Sequence, residues 1–468
     1  MRFRQILPAA WRAVAVLTTF TALCYPAAPE AARPKPAPAQ LAWQEAELGV
    51  MFHYDPRIFA GKTEQSLQQT AVADPKAFAQ KFSPAKLSTD QWVATAKAMG
   101  ARFAILVVKH ETGFCLWQSD ANPYCLKMLN WRGGKADILR DFTASCRKYG
   151  LKPGIFTEAR WDVNLAVRDF KVTKRSPVTQ EAYNRLVERE VEELCTRYGK
   201  LFEIWFDGGV ATPAQGGPNV LPIVEKNQPD ILFYHSNQRR DARWGGTESG
   251  TVGDPCWATV TPKALTTGIF DKAAKAMSMH GDPAGPVWCP AMSDSPLRCE
   301  KGRHHWFWAA DGEAGLATLQ TLQKMYYQSV GRNSTLILGL TPDRDGLMPA
   351  ADVTRCREFG EWQEKTFVGK PLAETSGKGA ELLLALPVNA QEQKPVTHII
   401  LQEEIRNGEK VREYVVEAEL DGAWKSVCAG SCIGHKRIEK IEPCAALKFR
   451  LRIVKSDDEA EIRSFSVR

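Results

Sequence analysis

The sequence predicts an α/β fold, a (β/α)8-like TIM barrel followed by a C-terminal antiparallel β-sandwich, on three observations. The 468 residues exceed one ordinary domain and suit two, one of them large. From about residue 46, short apolar runs alternate with longer stretches of helical period, which indicates a parallel sheet and, at this count, a barrel. Near Lys365 the pattern changes to period two, which argues an antiparallel sandwich.

The elements follow in chain order. Arg2, Arg4 and Arg12 precede the apolar stretch Ala13–Cys24, and an Ala/Pro-rich stretch, Tyr25 to Gln40, comes next. A basic start, a short apolar core and small residues before a cut make an export signal. Residues 1–32 are therefore expected to be a signal peptide and 33–41 an Ala/Pro-rich leader, with the mature chain exported to the periplasm or the medium. The apolar core is shorter than a bilayer span, and no later segment is long and apolar enough to cross one, so no membrane span is expected. Residues 42–364 are expected to form the barrel. Its strands are read at Leu48–His53, Phe103–Val108, Lys152–Phe156, Phe202–Phe206, Ile231–His235, Pro286–Pro290 and Thr335–Leu338. Its helices are read from Ser88 to Gly100, Lys135 to Tyr149, Thr179 to Tyr198 and Gly315 to Tyr327. Lys370 to Glu381 reads as loop. Residues 365–468 are expected to form a sandwich of the galactose-binding-like kind, with strands at Val396–Leu401, Glu413–Glu419, Leu447–Ile453 and Ile462–Val467 and a hairpin turn at Asp421-Gly422.

Composition narrows the chemistry. The formal charge of +7 is small for this length and no basic run interrupts the chain, so no nucleic-acid partner is expected. Twelve cysteines, one of them in the signal, leave an odd number in the mature chain. None lies in a Cys-x-x-Cys pair, so cysteine-bound zinc is not expected, whereas a disulfide such as Cys428 with Cys432 or Cys444 suits an exported protein. The eight histidines include the adjacent pair His304-His305, read as a loop or sugar contact, and no metal-ligand spacing occurs. No Gly-x-Ser-x-Gly elbow, phosphate loop or dinucleotide fingerprint is present, and no cofactor or metal is implied. Asn333-Ser-Thr is a glycosylation sequon by pattern only, since it precedes a buried strand. The sequence sets no oligomeric state.

In a barrel of this kind the active site gathers at the C-terminal ends of the strands. That rule selects His53 with Asp55; Lys109-His110-Glu111; Glu158, Trp161 and Asp162; Asp207-Gly208-Gly209; and His235. Asp-Gly also opens ordinary turns. Asp207 stands out because three aromatics lie in Phe202-Glu-Ile-Trp-Phe206 before it and two glycines after it, a packed and tight setting for a carboxylate. Several of the 14 tryptophans fall in strand-end loops: Trp117, Trp161, Trp257, Trp288 and Trp306. Aromatic faces beside carboxylates suit sugars, whose C–H faces pack on rings while their hydroxyls need polar partners; the rest of the tryptophans are expected to pack cores.

At these residues the chain resembles the α-L-fucosidases of glycoside hydrolase family 29. Lys109-His-Glu-Thr-Gly-Phe-Cys-Leu-Trp-Gln-Ser119 is similar to that family's Lys-His-His-Asp-Gly-Phe-x-Leu-Trp-x-Ser block, and Ile204-Trp-Phe-Asp-Gly208 to its nucleophile strand. Asp137 to Phe156 and Ser329 to Leu338 with Thr341 to Leu347 resemble further barrel blocks. Arg243 to Gly250, Asp254 to Thr259 and the tail block Glu404 to His435 are similar to the subgroup that favours α-1,3/1,4-linked fucose. The resemblance implies a retaining exo-α-L-fucosidase acting on fucosylated glycans. Asp207 would be the nucleophile, Glu248 the general acid/base, and His53, His110, Trp117, Trp161 and Trp257 substrate contacts. Such an enzyme needs Asp207 ionised and the pKa of Glu248 raised by burial or by its charged neighbour. The chain also departs from the pattern. Glu111 and Thr112 stand where many members carry a second His and an Asp, Asp55 near a usual Gly, Met292 where a Glu is frequent, and Gly339 in place of a common Asn. These departures keep Asp294 open as an alternative proton donor. They also keep open two other functions, a catalytically inactive carbohydrate-binding relative and a retaining barrel glycosidase of another sugar specificity.

Overall fold

The computed structural model describes residues 33–60, 74–234, 238–262, 272–387 and 395–468; the expected signal peptide at 1–32 and His235 lie outside them. Eight parallel strands form one sheet: β1 (Leu48–Phe52), β2 (Phe103–Val107), β3 (Lys152–Thr157), β4 (Glu203–Phe206), β5 (Leu232–Tyr234), β6 (Arg243–Trp244), β7 (Ala291–Pro296) and β8 (Ser334–Leu340). Their order is β5-β4-β3-β2-β1-β8-β7-β6, so the two open ends are consecutive in the chain and the sheet nearly closes into a barrel. Alternate residues divide between two cores. Met51, Ile105, Phe156, Trp205, Met292 and Ile337 fill the interior, while Val50, Leu106, Ile155, Ile204 and Leu338 pack outward against the helices.

Helix α1 (Pro38–Gln44) lies across the expected leader and closes the bottom of the barrel. Its Trp43 is fully buried in the interior cluster and donates to Glu203 Oε2 at 2.9 Å. Burial raises the Glu203 carboxyl to about 8, so it is neutral at pH 7 and compatible with an apolar barrel floor. The outer layer includes α2 (Pro75–Gln80), α3 (Thr89–Ala98), α4 (Ile138–Tyr149) and α5 (Gln180–Arg197), and later α6 (Leu221–Asn227), α7 (Lys272–His280), α8 (Leu319–Tyr327) and α9 (Ala350–Gln363). The anticipated boundaries hold: Ser88 caps the start of α3, and Gly150 ends α4 in the left-handed region.

Two barrel strands differ from expectation. β7 has the sequence Ala-Met-Ser-Asp-Ser-Pro, without a branched aliphatic residue, and β6 has two residues, so neither carries an apolar-run signature. The expected strand at Pro286–Pro290 instead gives a two-residue ribbon, Val287–Trp288, antiparallel to Thr259–Val260 and outside the barrel.

The C-terminal region is two four-stranded antiparallel sheets. Their strands are β9 (Ala373–Lys378), β10 (Glu381–Ala385), β11 (Val396–Glu403), β12 (Val411–Leu420), β13 (Ala423–Gly430), β14 (Arg437–Cys444), β15 (Lys448–Ser456) and β16 (Glu461–Val467). The orders are β9-β16-β11-β14 and β10-β15-β12-β13, around a core containing Leu401, Tyr414, Val416, Phe449 and Phe465. Asp421-Gly422 makes the β12–β13 turn with both φ positive, as the hairpin requires. The stretch expected to be loop, Lys370 to Glu381, contains β9, whose Ala-Glu-Thr-Ser-Gly-Lys sequence hides its period. All eleven cysteines in the described residues are free thiols. Cys428 faces Val416 within one sheet, Cys444 lies in the other, and Cys432 turns to the Cys256 carbonyl of the barrel, so the suggested pairings do not form.

Candidate active site

The strand alternation that places Glu203 and Trp205 inside the barrel brings Asp207 to its upper rim on the same face of β4. Gly208 and Gly209 follow with positive φ, and a Cβ at Gly208 would stand 2.7 Å from the Arg160 guanidinium. The two glycines thus turn the chain tightly enough to bring Arg160 beside Asp207. Burial raises the Asp207 carboxyl to about 6; the Glu248 and Glu111 charges push the same way, and Arg160 and the Gly208 N–H oppose them.

Glu248 lies on the loop after β6. That loop is fixed against β7 by Gly245 N–H on the Met292 carbonyl at 2.7 Å and Gly250 N–H on the Asp294 carbonyl at 2.7 Å. The Glu248 carboxylate receives Trp306 Nε1 at 3.0 Å and a short contact from His304 Nε2, both on Oε2. These bonds, that of His304 first, hold its carboxyl below the usual range, with burial opposing. This reverses the expected direction: where burial was to keep Glu248 protonated, two N–H donors favour its anion. Glu248 nevertheless belongs to the Asp207 cluster, because its charge is the second largest influence on that residue.

Two further carboxyls flank the pair. Asp294, on the inner face of β7 two residues beyond Met292, accepts from Trp244 Nε1 at 2.9 Å, and burial holds it well above the carboxylate range. Met292 itself is fully buried in the barrel interior. Glu158, beyond β3, accepts the Arg160 and Trp161 N–H groups at 2.6 and 3.1 Å, and burial followed by the Asp207 charge keeps it protonated.

An aromatic and imidazole wall faces the carboxylates. His53, at the end of β1, lies 5.1 Å from both the Trp306 and Phe307 rings, and His110 stacks on Phe156 at 5.6 Å. Burial, then the Arg57 charge, lowers His53 to about 3 and His110 well below its usual value, so both imidazoles are neutral. Arg57 joins three of the departures from the family pattern, Asp55, Glu111 and, through Asp55, Thr112, into one cluster. It lies over the Phe307 ring at 4.2 Å, pairs with Glu111 at 2.9 Å, and approaches Asp55 at 3.5 Å. Asp55 in turn accepts the Thr112 hydroxyl at 2.5 Å. A carboxylate therefore stands directly beside Thr112. Beneath, Lys109 is buried between Asp162 at 3.2 Å and Glu190 at 3.0 Å, which anchors the strand end that carries His110.

Asp207, Glu248, His53 and His110 therefore converge, and half-buried Trp161 follows in the loop that carries Glu158 and Arg160. Two expected sugar contacts do not. Trp117 is fully buried among the barrel–helix core residues and donates to Glu193 on α5 at 2.9 Å. Trp257 is packed beneath Arg412 of the sandwich, 4.8 Å from its ring. Each lies near a strand end, but its indole packs away from the rim. Sequence reading passed over Arg57 and treated the pair His304-His305 only generically; the clustered His304-His-Trp-Phe-Trp308 was the available signal. Among the described residues, no group of three or more His, Cys, Asp or Glu is placed to hold a metal ion.

A family profile described as Alpha-L-fucosidase matches residues 27–366. A rice protein provisionally named alpha-L-fucosidase 1 is 30% identical over 443 residues, 86% of this chain and 79% of that one. A crystal structure from Bacteroides thetaiotaomicron, provisionally named an alpha-L-fucosidase, shares 47% identity with a TM-score of 0.85, covering 93% of this chain and 99% of that chain. A glycoside hydrolase 29 family member from an unknown rumen bacterium shares 28% identity with a TM-score of 0.77, covering 94% and 78%.

Proposed function

The chain belongs to the α-L-fucosidase family, glycoside hydrolase family 29, and from that premise we propose that it removes terminal α-L-fucose from glycans with retention at the anomeric carbon. The observation that carries this reading is the convergence of two carboxyls on one rim, Asp207 beyond β4 and Glu248 on the loop after β6, close enough that the Glu248 charge acts on Asp207. Ionised Asp207 attacks the anomeric carbon while Glu248, in its protonated form, gives its proton to the departing oxygen. Glu248, now a carboxylate, then takes a proton from water, and that water releases the sugar from its ester with Asp207. Retaining enzymes hold such a pair about 5–5.5 Å apart. Glu248 is preferred to Asp294 because the second step needs water at the base: Glu248 is open to solvent, whereas Asp294 is 4% exposed.

Neutral His53 and His110 can both give and accept hydrogen bonds to ring hydroxyls without the cost of a buried charge. Phe156, Trp306 and Phe307 offer aromatic faces to the C–H face and the methyl group of a 6-deoxy sugar. The preference for α-1,3/1,4 linkages is supported by the Arg243–Gly250 segment, which carries Glu248. The Asp254–Thr259 segment supports it less directly, because Asp254 is paired with Arg437 of the sandwich at 2.6 Å. Export guided by residues 1–32 is part of the same reading.

Initial rates on p-nitrophenyl α-L-fucoside, β-D-galactoside and branched Lewis-type glycans test the proposal. Fucose release from the α-L-fucoside and the branched glycans is expected. Galactose release alone would move the enzyme to another specificity, and no release from any substrate would favour a binding relative. Glu248→Ala should abolish action on the glycans while sparing activated aryl fucosides; that pattern in Asp294→Asn instead would transfer the donor role.

A further inference from the structure

Of the groups around the two carboxylates, one histidine has no part yet in the reaction. His304 is about half exposed, and its Nε2 meets the same oxygen of Glu248, Oε2, that Trp306 Nε1 contacts at 3.0 Å. Two donors on one oxygen fix the carboxyl plane and leave Oε1 to the leaving group. The loop carrying them is anchored from below: the backbone of His305 bonds Arg298 at 3.1 Å, and the buried Arg298 side chain holds Asp352 of α9 at 2.9 Å. Trp306 is braced on its inner side by His53 and lies over Gly339 of β8, where a Cβ would stand 2.4 Å from its ring. Gly339, one of the departures from the family pattern, is thus what admits Trp306 to this position.

We propose that His304 is a positioning residue for Glu248, holding Oε2 from the solvent side so that Oε1 faces the departing oxygen. The inference rests on the assignment of Glu248 as acid/base. An N–H donated to a carboxylate stabilises its anion. The charged or titratable groups facing Glu248 are His304 on its loop, His53 from β1, Asp207 from β4 and Asp294 from β7. Of these, His304 contributes most to the lowering. Its removal makes the Glu248 proton more tightly held, which alters the pH profile of kcat/KM.

The test compares His304→Ala and His304→Gln in the full chain, on an aryl fucoside with a poor leaving group. Expected for His304→Ala are a kcat about tenfold lower, little change in KM, a displaced pH profile, and partial recovery in His304→Gln, which keeps an N–H donor. Thermal unfolding is expected at the wild-type temperature, because the side chain is exposed. Unchanged kcat and pH profile in His304→Ala would overturn the proposal. So would a further loss when His304→Ala is added to Glu248→Gln, since a residue acting only through Glu248 has nothing left to position. Glu248→Gln alone separates the two inferences: if it retains wild-type rates on this substrate, the assignment of Glu248 itself fails.

Discussion

At Asp207 burial and the nearby Glu248 and Glu111 charges all favour the neutral acid, and only Arg160 and one backbone N–H oppose them. A carboxyl raised to about 6 in the folded chain and ionising near 4 when unfolded costs the fold stability as pH rises from 4 to 6, and the full cost persists above 6. Asp207→Asn should therefore abolish turnover yet raise stability by about 2 kcal/mol at pH 7.5, the gain fading as pH falls from 6 to 4. Denaturant titrations across this range would show it; equal or lower stability at pH 7.5 would remove the electrostatic account. Trp117→Phe should lower stability by about 1 kcal/mol through the lost bond to Glu193 and leave KM unchanged, whereas a raised KM would restore it to the sugar site. Asp207 was legible in the sequence because its signal is local, a packed apolar strand followed by two glycines. The direction of the Glu248 shift was not legible, because its cause, His304, lies 56 residues away.

Elements carry their own test at Gly339. This residue of β8 gives up its side chain to Trp306, so Gly339→Ala must displace the indole that holds Glu248. The expected result is kcat/KM lower by about tenfold or more with a well-folded barrel, read from kinetics beside a melting curve; wild-type kinetics would mean that Trp306 can move without consequence. The strands with long apolar runs, β1 to β5 and β8, were legible as elements. β6 and β7 were not, because β6 is very short and β7 carries two serines and an aspartate in place of an apolar run. These are also the strands that border Glu248 and Asp294, so the least legible part of the barrel lies beside the chemistry.

Across the whole molecule, barrel and sandwich meet through buried polar contacts. Asn333, 3% exposed, donates to the Cys256 carbonyl at 3.0 Å and to Glu409 at 2.5 Å and accepts from His435 N at 2.7 Å, so its amide is unavailable to a glycan. Glu47, beneath β1, meets His435 at 2.9 Å and Lys436 at 2.5 Å, and Arg437 grips Asp254. Arg437→Ala should lower the melting temperature by several degrees while the folded fraction keeps its kcat/KM, since the seam lies away from the rim. A changed kcat/KM at constant fold would give the sandwich a part in catalysis. The change of pattern near Lys365 made the two regions legible; the seam was not, because its partners are distant in sequence and polar. The most direct test of the account is to trap the reaction with a 2-deoxy-2-fluoro-α-L-fucosyl fluoride and map the label by peptide mass spectrometry. Stoichiometric label on the peptide containing Asp207, with loss of activity, is the predicted result; label on another carboxylate, or turnover with inverted product and no adduct, would contradict it.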